Sequence, residues 1–172
     1  MRKFLIALSI AALASGGTAY AADAPNDAQI AHIAYTAGVI DITAAQQALE
    51  KSKNPKVISF AEEMERDHKA VNDQALALVK ELGVTPEDNP TSQALNKNAK
   101  AELATLAKLD GAAYDKAYID NEVAFHKTVD SALSDVLIPS AKNAKLKALL
   151  QQGLTLFTEH LKHAEMIASE IK

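Results

Sequence analysis

Val57, Ala61, Met64, His68, Val71, Ala75, Leu78 and Leu82 follow one another at alternating steps of four and three, the spacing that keeps side chains on one stripe of an α-helix. Such a stripe must be buried against other helices, so it commits the chain to helix-on-helix packing. Ile30, Ala34, Ala37, Asp41, Ala44 and Ala48 form a second seam, apolar except at its middle. The C-terminal segment carries two adjacent stripes, Leu150, Leu154, Phe157, Leu161 and Ala164 beside Leu146, Leu149, Gly153, Leu156, His160, His163 and Ile167. No segment alternates β-branched and polar residues over a strand's length, so the expected class is all-α.

Breakers divide the helical pattern. A first helix is expected from about Asp27 to Lys53, ending at Asn54-Pro55, where Asn54 caps the next helix and Pro55 takes its first position. The second runs to Leu82, with Gly83 as its stop. Thr85 to Pro90 reads as a loop and Thr91 or Ser92 as the cap of a short helix from Gln93 to Leu109. A longer one runs from Asp110-Gly111 to Leu137, Ile138-Pro139-Ser140 breaks it, and the last continues to the C-terminus. Lys53-Asn54-Pro55-Lys56-Val57 is echoed by Lys142-Asn143-Ala144-Lys145-Leu146, each just before an apolar-seamed helix. The pattern implies two related hairpins, hence an antiparallel four-helix bundle with a long crossover containing a short extra helix.

The N-terminus has Arg2 and Lys3, an apolar run from Phe4 to Leu13, and Ala19-Tyr20-Ala21. These are the charged, apolar and small-x-small parts of a secretory signal peptide. The expected organisation is a cleaved signal over residues 1–21 and one bundle domain over 22–172. The apolar run falls short of the roughly 20 residues a bilayer crossing needs, so no integral membrane segment is expected in the mature protein. With Cys 0, stability must come from packing. A formal charge of -4 without a basic patch argues against nucleic acid. The absence of a Gly-x-Ser-x-Gly elbow, a thiol and a glycine-rich phosphate loop argues against serine, cysteine and nucleotide chemistry.

Polar residues recur near the middle of the helices: Asp41 on the first, Glu65-Arg66-Asp67-His68 on the second, Glu122 and His126 on the third long helix, and Glu159, His160 and His163 on the last. Inside a seam they are costly unless paired or metal-bound. Imidazole with carboxylate is a ligand set for iron, zinc, manganese or copper. Glu65 and His68 form a Glu-x-x-His of the di-iron bundle type, but no second copy exists: Glu122–His126 and Glu159–His163 are spaced by four, and Glu62, Glu63 and Glu65 read as a solvated acidic run. His32 is expected to be exposed, His163 to solvate the bundle surface, and Tyr114 and Tyr118 to pack with their hydroxyls at the rim. The candidate ligands are His68, His126 and His160, with Asp41 or Asp67 orienting them.

Asn54-Pro55-Lys56-Val57, Phe60-Ala61, Met64, Asp67-His68, Asn72 and Gly83-Val84-Thr85-Pro86, with the run Leu109 to Ile119, Val123, His126, His160-Leu161 and Ala164, together resemble the ferritin-like exported bacterial family named domain of unknown function 4142. The resemblance spans nearly the whole mature chain. It implies a ferritin-like bundle in the periplasm or at the outer envelope, and it points to Asp67, His68, His126 and His160. It supplies no reaction. Asp41 stands where that family commonly has glutamate, and Ala124-Phe125 precedes His126 where an acidic residue is frequent, which weakens a di-iron oxidase. The leading expectation is a transition metal (iron, zinc or copper) or small ligand at the mid-bundle cluster, in envelope or oxidative stress. The alternatives are an envelope interaction protein with a structural histidine layer, and an iron-dependent oxidase or peroxidase. No catalytic residue is assigned.

Overall fold

In a computed structural model, residues 24–171 are described; the expected signal peptide lies outside them, as does Lys172. Five helices carry the fold, and no strand occurs among the described residues: α1 (Asp27–Lys51), α2 (Pro55–Glu81), α3 (Pro90–Leu106), α4 (Gly111–Ala132) and α5 (Ala144–Glu170). Asn26, Asn54, Asn89 and Asn143 precede α1, α2, α3 and α5, and each side chain accepts from backbone N–H groups of the turn it opens. Asn89 with Pro90 thus starts α3 earlier than Thr91 or Ser92 would. Ser92 instead completes a reciprocal capping box with Asn89.

Pro139 does not break α4 as expected. A π-helical turn, Leu133–Leu137, follows α4 directly, and a last helical turn, Ile138–Ser140, carries the chain through the proline. The break falls at residues 141–143. There Asp27, at the start of α1, accepts hydrogen bonds from the backbone N–H of Lys142 (2.8 Å) and Asn143 (2.9 Å), closing that end of the bundle.

Short turns make α1–α2 and α4–α5 antiparallel hairpins. Between hairpins, Asp67 meets His160 and Glu63 meets His163, so α2 and α5 run antiparallel. Ser52 meets Asp115 at 2.6 Å while Asp27 meets Asn143, so α1 and α4 do too. α3 is the crossover. It runs parallel to α1, tied at one end by Asn89 Nδ2 to the Gln29 carbonyl and at the other by Gln47 and Lys51 to the carbonyls of Leu103 and Ala107.

The interior has two apolar halves. Around the α1–α2 turn, Val57, Phe60, Met64, Tyr114, Tyr118 and Ile119 pack with Ala44, Ala45, Ala48 and Ala61, all buried. Around the α4–α5 turn, Ile30, Ile33, Leu133, Leu137, Leu146, Leu150 and Phe157 form the other. The buried face of α5 is one seam, Leu146, Leu150, Gly153, Phe157, His160, Ala164 and Ile167. It draws alternately on both stripes of its sequence pattern because α5 packs against α2 and α4 together.

Candidate metal centre

A buried polar layer lies between the two halves. α1 supplies Asp41, α2 His68, α4 Glu122 and His126, and α5 His160, each 2% exposed or less. The three imidazoles form a near-equilateral triangle, with ring centroids 5.7 Å (His68–His126), 5.4 Å (His68–His160) and 5.6 Å (His126–His160) apart. One ligand atom from each of His68, His126 and His160 lies within 4.8 Å of the others. The same holds for Asp41, Glu122 and His126, so His126 belongs to both fully buried triads, and for the half-buried Glu63 and Asp67 with His160 at the edge of the layer. Donors around a zinc-sized ion at about 2.1 Å stand roughly 3–4 Å apart, a contraction small enough for side-chain rotation to provide.

Hydrogen bonds fix two of the rings. His126 Nδ1 is 3.0 Å from the Glu122 carbonyl, which only accepts, so Nδ1 carries the proton and the Nε2 lone pair is free. His160 Nε2 is 3.1 Å from Asp67 Oδ2, which leaves Nδ1 free. A carboxylate or carbonyl behind an imidazole is the arrangement that orients a metal ligand. His68 Nε2 lies 3.5 Å from Asp41 Oδ2 and stacks on Phe157 at 4.6 Å. Asp41 Oδ1, His68 Nε2, Glu122 Oε2, His126 Nε2 and His160 Nδ1 are buried with no hydrogen-bond partner. Five such atoms on five side chains of one buried layer, spread over two triads that share His126, are unusual in a folded interior.

The electrostatics match. Burial, then the charge of Glu122, raises the Asp41 carboxyl well above its ordinary range; burial raises Glu122 too. No Lys or Arg among the described residues pairs with either. Burial pushes His126 down to about 4, and pushes His68 well below its usual value with help from His126 and His160. His160 is lowered by burial against the opposing pull of Asp67. Burial acts against ionisation of Asp67, but the bonds from Arg66 and His160 outweigh it and hold that carboxyl below its ordinary value. The layer is therefore a set of neutral imidazoles and protonated carboxyls, the lone pairs of the former aimed inward.

Asp41, His68, His126 and His160 thus come together, while Asp67 stands behind His160 at the edge. Glu65 does not join; it accepts from Gln46 at 2.9 Å on an exposed face, so the Glu-x-x-His pattern is not realised. His163 pairs with Glu63 at 2.6 Å near the surface. His32 is half-buried near Asp88 rather than exposed. Two residues were missed. Glu122 was passed over as a ligand because its spacing of four to His126 departs from Glu-x-x-His, yet that spacing also places both on one helix face. Tyr118 is not at a rim: it is fully buried, its hydroxyl has no partner, and burial, then Glu122 and Asp41, raises its pKa.

A family profile described as "Domain of unknown function (DUF4142)" matches residues 12–167. Comparison with curated proteins gives no match. Among solved structures, the crystal structure of a DUF305 fragment from Deinococcus radiodurans superposes with a TM-score of 0.70 at 14% identity, covering 86% of this chain and 98% of that one. At that identity the likeness is one of fold.

Proposed function

Because this chain belongs to the DUF4142 family, a domain of unknown function, we propose a role drawn from its own buried layer: an exported, ferritin-like bundle that holds a divalent transition metal ion on His68, His126 and His160, with Asp41 and Glu122 as carboxylate donors. The observation that carries this reading is the pair of fully buried triads that share His126, whose five side chains each hold an unpartnered polar atom. Left without a partner, each costs on the order of 1–3 kcal/mol. A cation bound there removes that cost for the donors it takes up and would displace the protons that burial holds on Asp41 and Glu122. Imidazole and carboxylate without sulfur suit iron, zinc or copper(II). Asp67 positions His160 rather than binding the ion. The N-terminal pattern supports export of residues 22–172 to the periplasm, with a signal peptide over 1–21.

Elemental analysis of protein purified without chelator tests the reading, followed by titration of the metal-free form with Co²⁺, whose visible bands report tetrahedral or five-coordinate binding. His126→Ala, which removes the ligand common to both triads, should abolish metal content. Asp67→Asn should weaken affinity about 10- to 100-fold, the usual effect of losing the group behind a ligand. Folded wild-type protein with no measurable affinity for iron, zinc or copper would end the idea.

A further inference from the structure

Beside the polar layer, in the half nearest the α4–α5 turn, lies a cavity of about 530 Å³. It is a partly open pocket rather than a sealed void, and Thr91, Ala94, Asn98 and Thr128 in its wall are solvent-exposed. Its volume falls in the roughly 300–1,000 Å³ range of small-molecule pockets. It is not one misplaced side chain that makes it. Ala34 on α1, Ala75 on α2, Ala94 on α3, Ala132 on α4 and Gly153 on α5 all line it, so five helices each present a small residue to the same space. A Cβ at Gly153 would meet only the Phe157 ring, at 3.4 Å, so neither the backbone nor a close helix approach requires glycine there.

The wall has no charged residue; its polar side chains are Asn72, Thr91, Asn98 and Thr128. α3 roofs the space, buried at Ser92 and Leu106 near its two ends while Leu95 and Asn98 face the cavity between them. A second, smaller cavity of about 190 Å³ between α1, α3 and α4 shares Leu95, Asn98 and Thr128 with the first but is more polar, with Glu102 and Asn121 in its wall, so the charge-free space is the larger cavity. The wall also includes Phe157, whose ring stacks on His68 at 4.6 Å.

We infer that this cavity binds an uncharged, single-chain aliphatic molecule, with Phe157 linking its wall to the histidine layer. An ionised headgroup inside would find no counter-charge and would lose its hydration. A neutral chain finds apolar contact along its length and weak polar groups under α3. The inference stands on the cavity and not on the metal.

The experiment uses the full chain and the neutral fluorophore N-phenyl-1-naphthylamine, displaced by decan-1-ol or by decanoate at pH 8. Wild type should show saturable, one-site uptake, and decan-1-ol should displace the probe at a concentration at least about tenfold lower than decanoate, because only the latter brings a charge to be desolvated. Ala75→Leu/Gly153→Leu should lower probe affinity by about tenfold or more through lost volume, with unchanged metal content and helical signal. Should the pair fail to fold, Ala34→Leu serves the same purpose from α1. Absence of saturable uptake, equal displacement by decanoate, or undiminished binding by the filled variant overturns the inference. Metal content is read on the same samples, so a failure of the metal reading is seen separately.

Discussion

The two halves of the bundle interior are built from similar seams but filled differently. Toward the α1–α2 turn, Phe60, Met64, Tyr114 and Tyr118 are fully buried, with Phe60 edge-on to Tyr118 at 6.2 Å. Toward the α4–α5 turn the corresponding stretch of α2 offers Val71 and Ala75, both only half-buried, because the space opposite them is the cavity. The difference teaches that a four-three pattern fixes which side chains point inward but not whether they touch. One half works as a core and the other as a container, and the histidine layer is the wall between them.

The largest expected effect tests that contrast directly. Phe60→Ala in the dense half should destabilise by about 3–5 kcal/mol, whereas Leu150→Ala beside the cavity should sit near 2, the low end for its type, because it enlarges a space already open. Urea midpoints of the two variants check it, and equal losses would mean that the cavity half is as tightly packed as the other.

A smaller effect concerns the wall. In metal-free protein the folded state keeps protons on Asp41 and Glu122 that the unfolded chain releases near pH 4. Their contribution to stability is full below that pH and is lost as pH rises through the folded value, about 8 for Glu122. The histidines act in the opposite sense, costing stability as pH falls from 6.5 toward 4, because the unfolded chain protonates them first. Between pH 7 and 9 only the carboxyls operate. The metal-free melting temperature should therefore drop over that interval by roughly 2–4 °C, the shift about 1 kcal/mol produces in a domain of this size. Glu122→Gln should reduce the drop, and metal affinity should rise over the same interval as the carboxyls ionise.

The smallest effect serves as a control on the ends. Asn54→Ala and Asn143→Ala remove equivalent caps at the starts of α2 and α5, and each should cost about 1 kcal/mol by thermal melting. Unequal losses would show that the contrast between halves extends to the turns as well.

Much of the frame was legible in the chain. Asn54 and Asn143 marked the two hairpin turns, and the interruptions at Asp41, His68, His126 and His160 could be placed near one level from their distance to those turns. Glu122 was less visible, because a glutamate one turn from a histidine looks the same in sequence whether it faces a partner or water. Pro139 misled because the widened turn before it depends on backbone pairing that no residue type announces. The cavity was hidden for a deeper reason: alanine at a seam position fills a narrow gap between close helices or borders a wide one, and only the helix spacing decides which.

The π-helical turn at Leu133–Leu137 gives the chain a point of slack. It holds one residue more than an α-helical path of the same span, and it stands between the ligands on α4 and the turn tied down by Asp27. Loss of a residue within it can be absorbed by the turn tightening to α. Loss of a residue between Gly111 and Glu122 would swing Glu122 and His126 by about 100° relative to the start of the helix. Tolerance to deletion along α4 should therefore be sharply uneven, high at the bulge and close to nil one turn before the histidine layer.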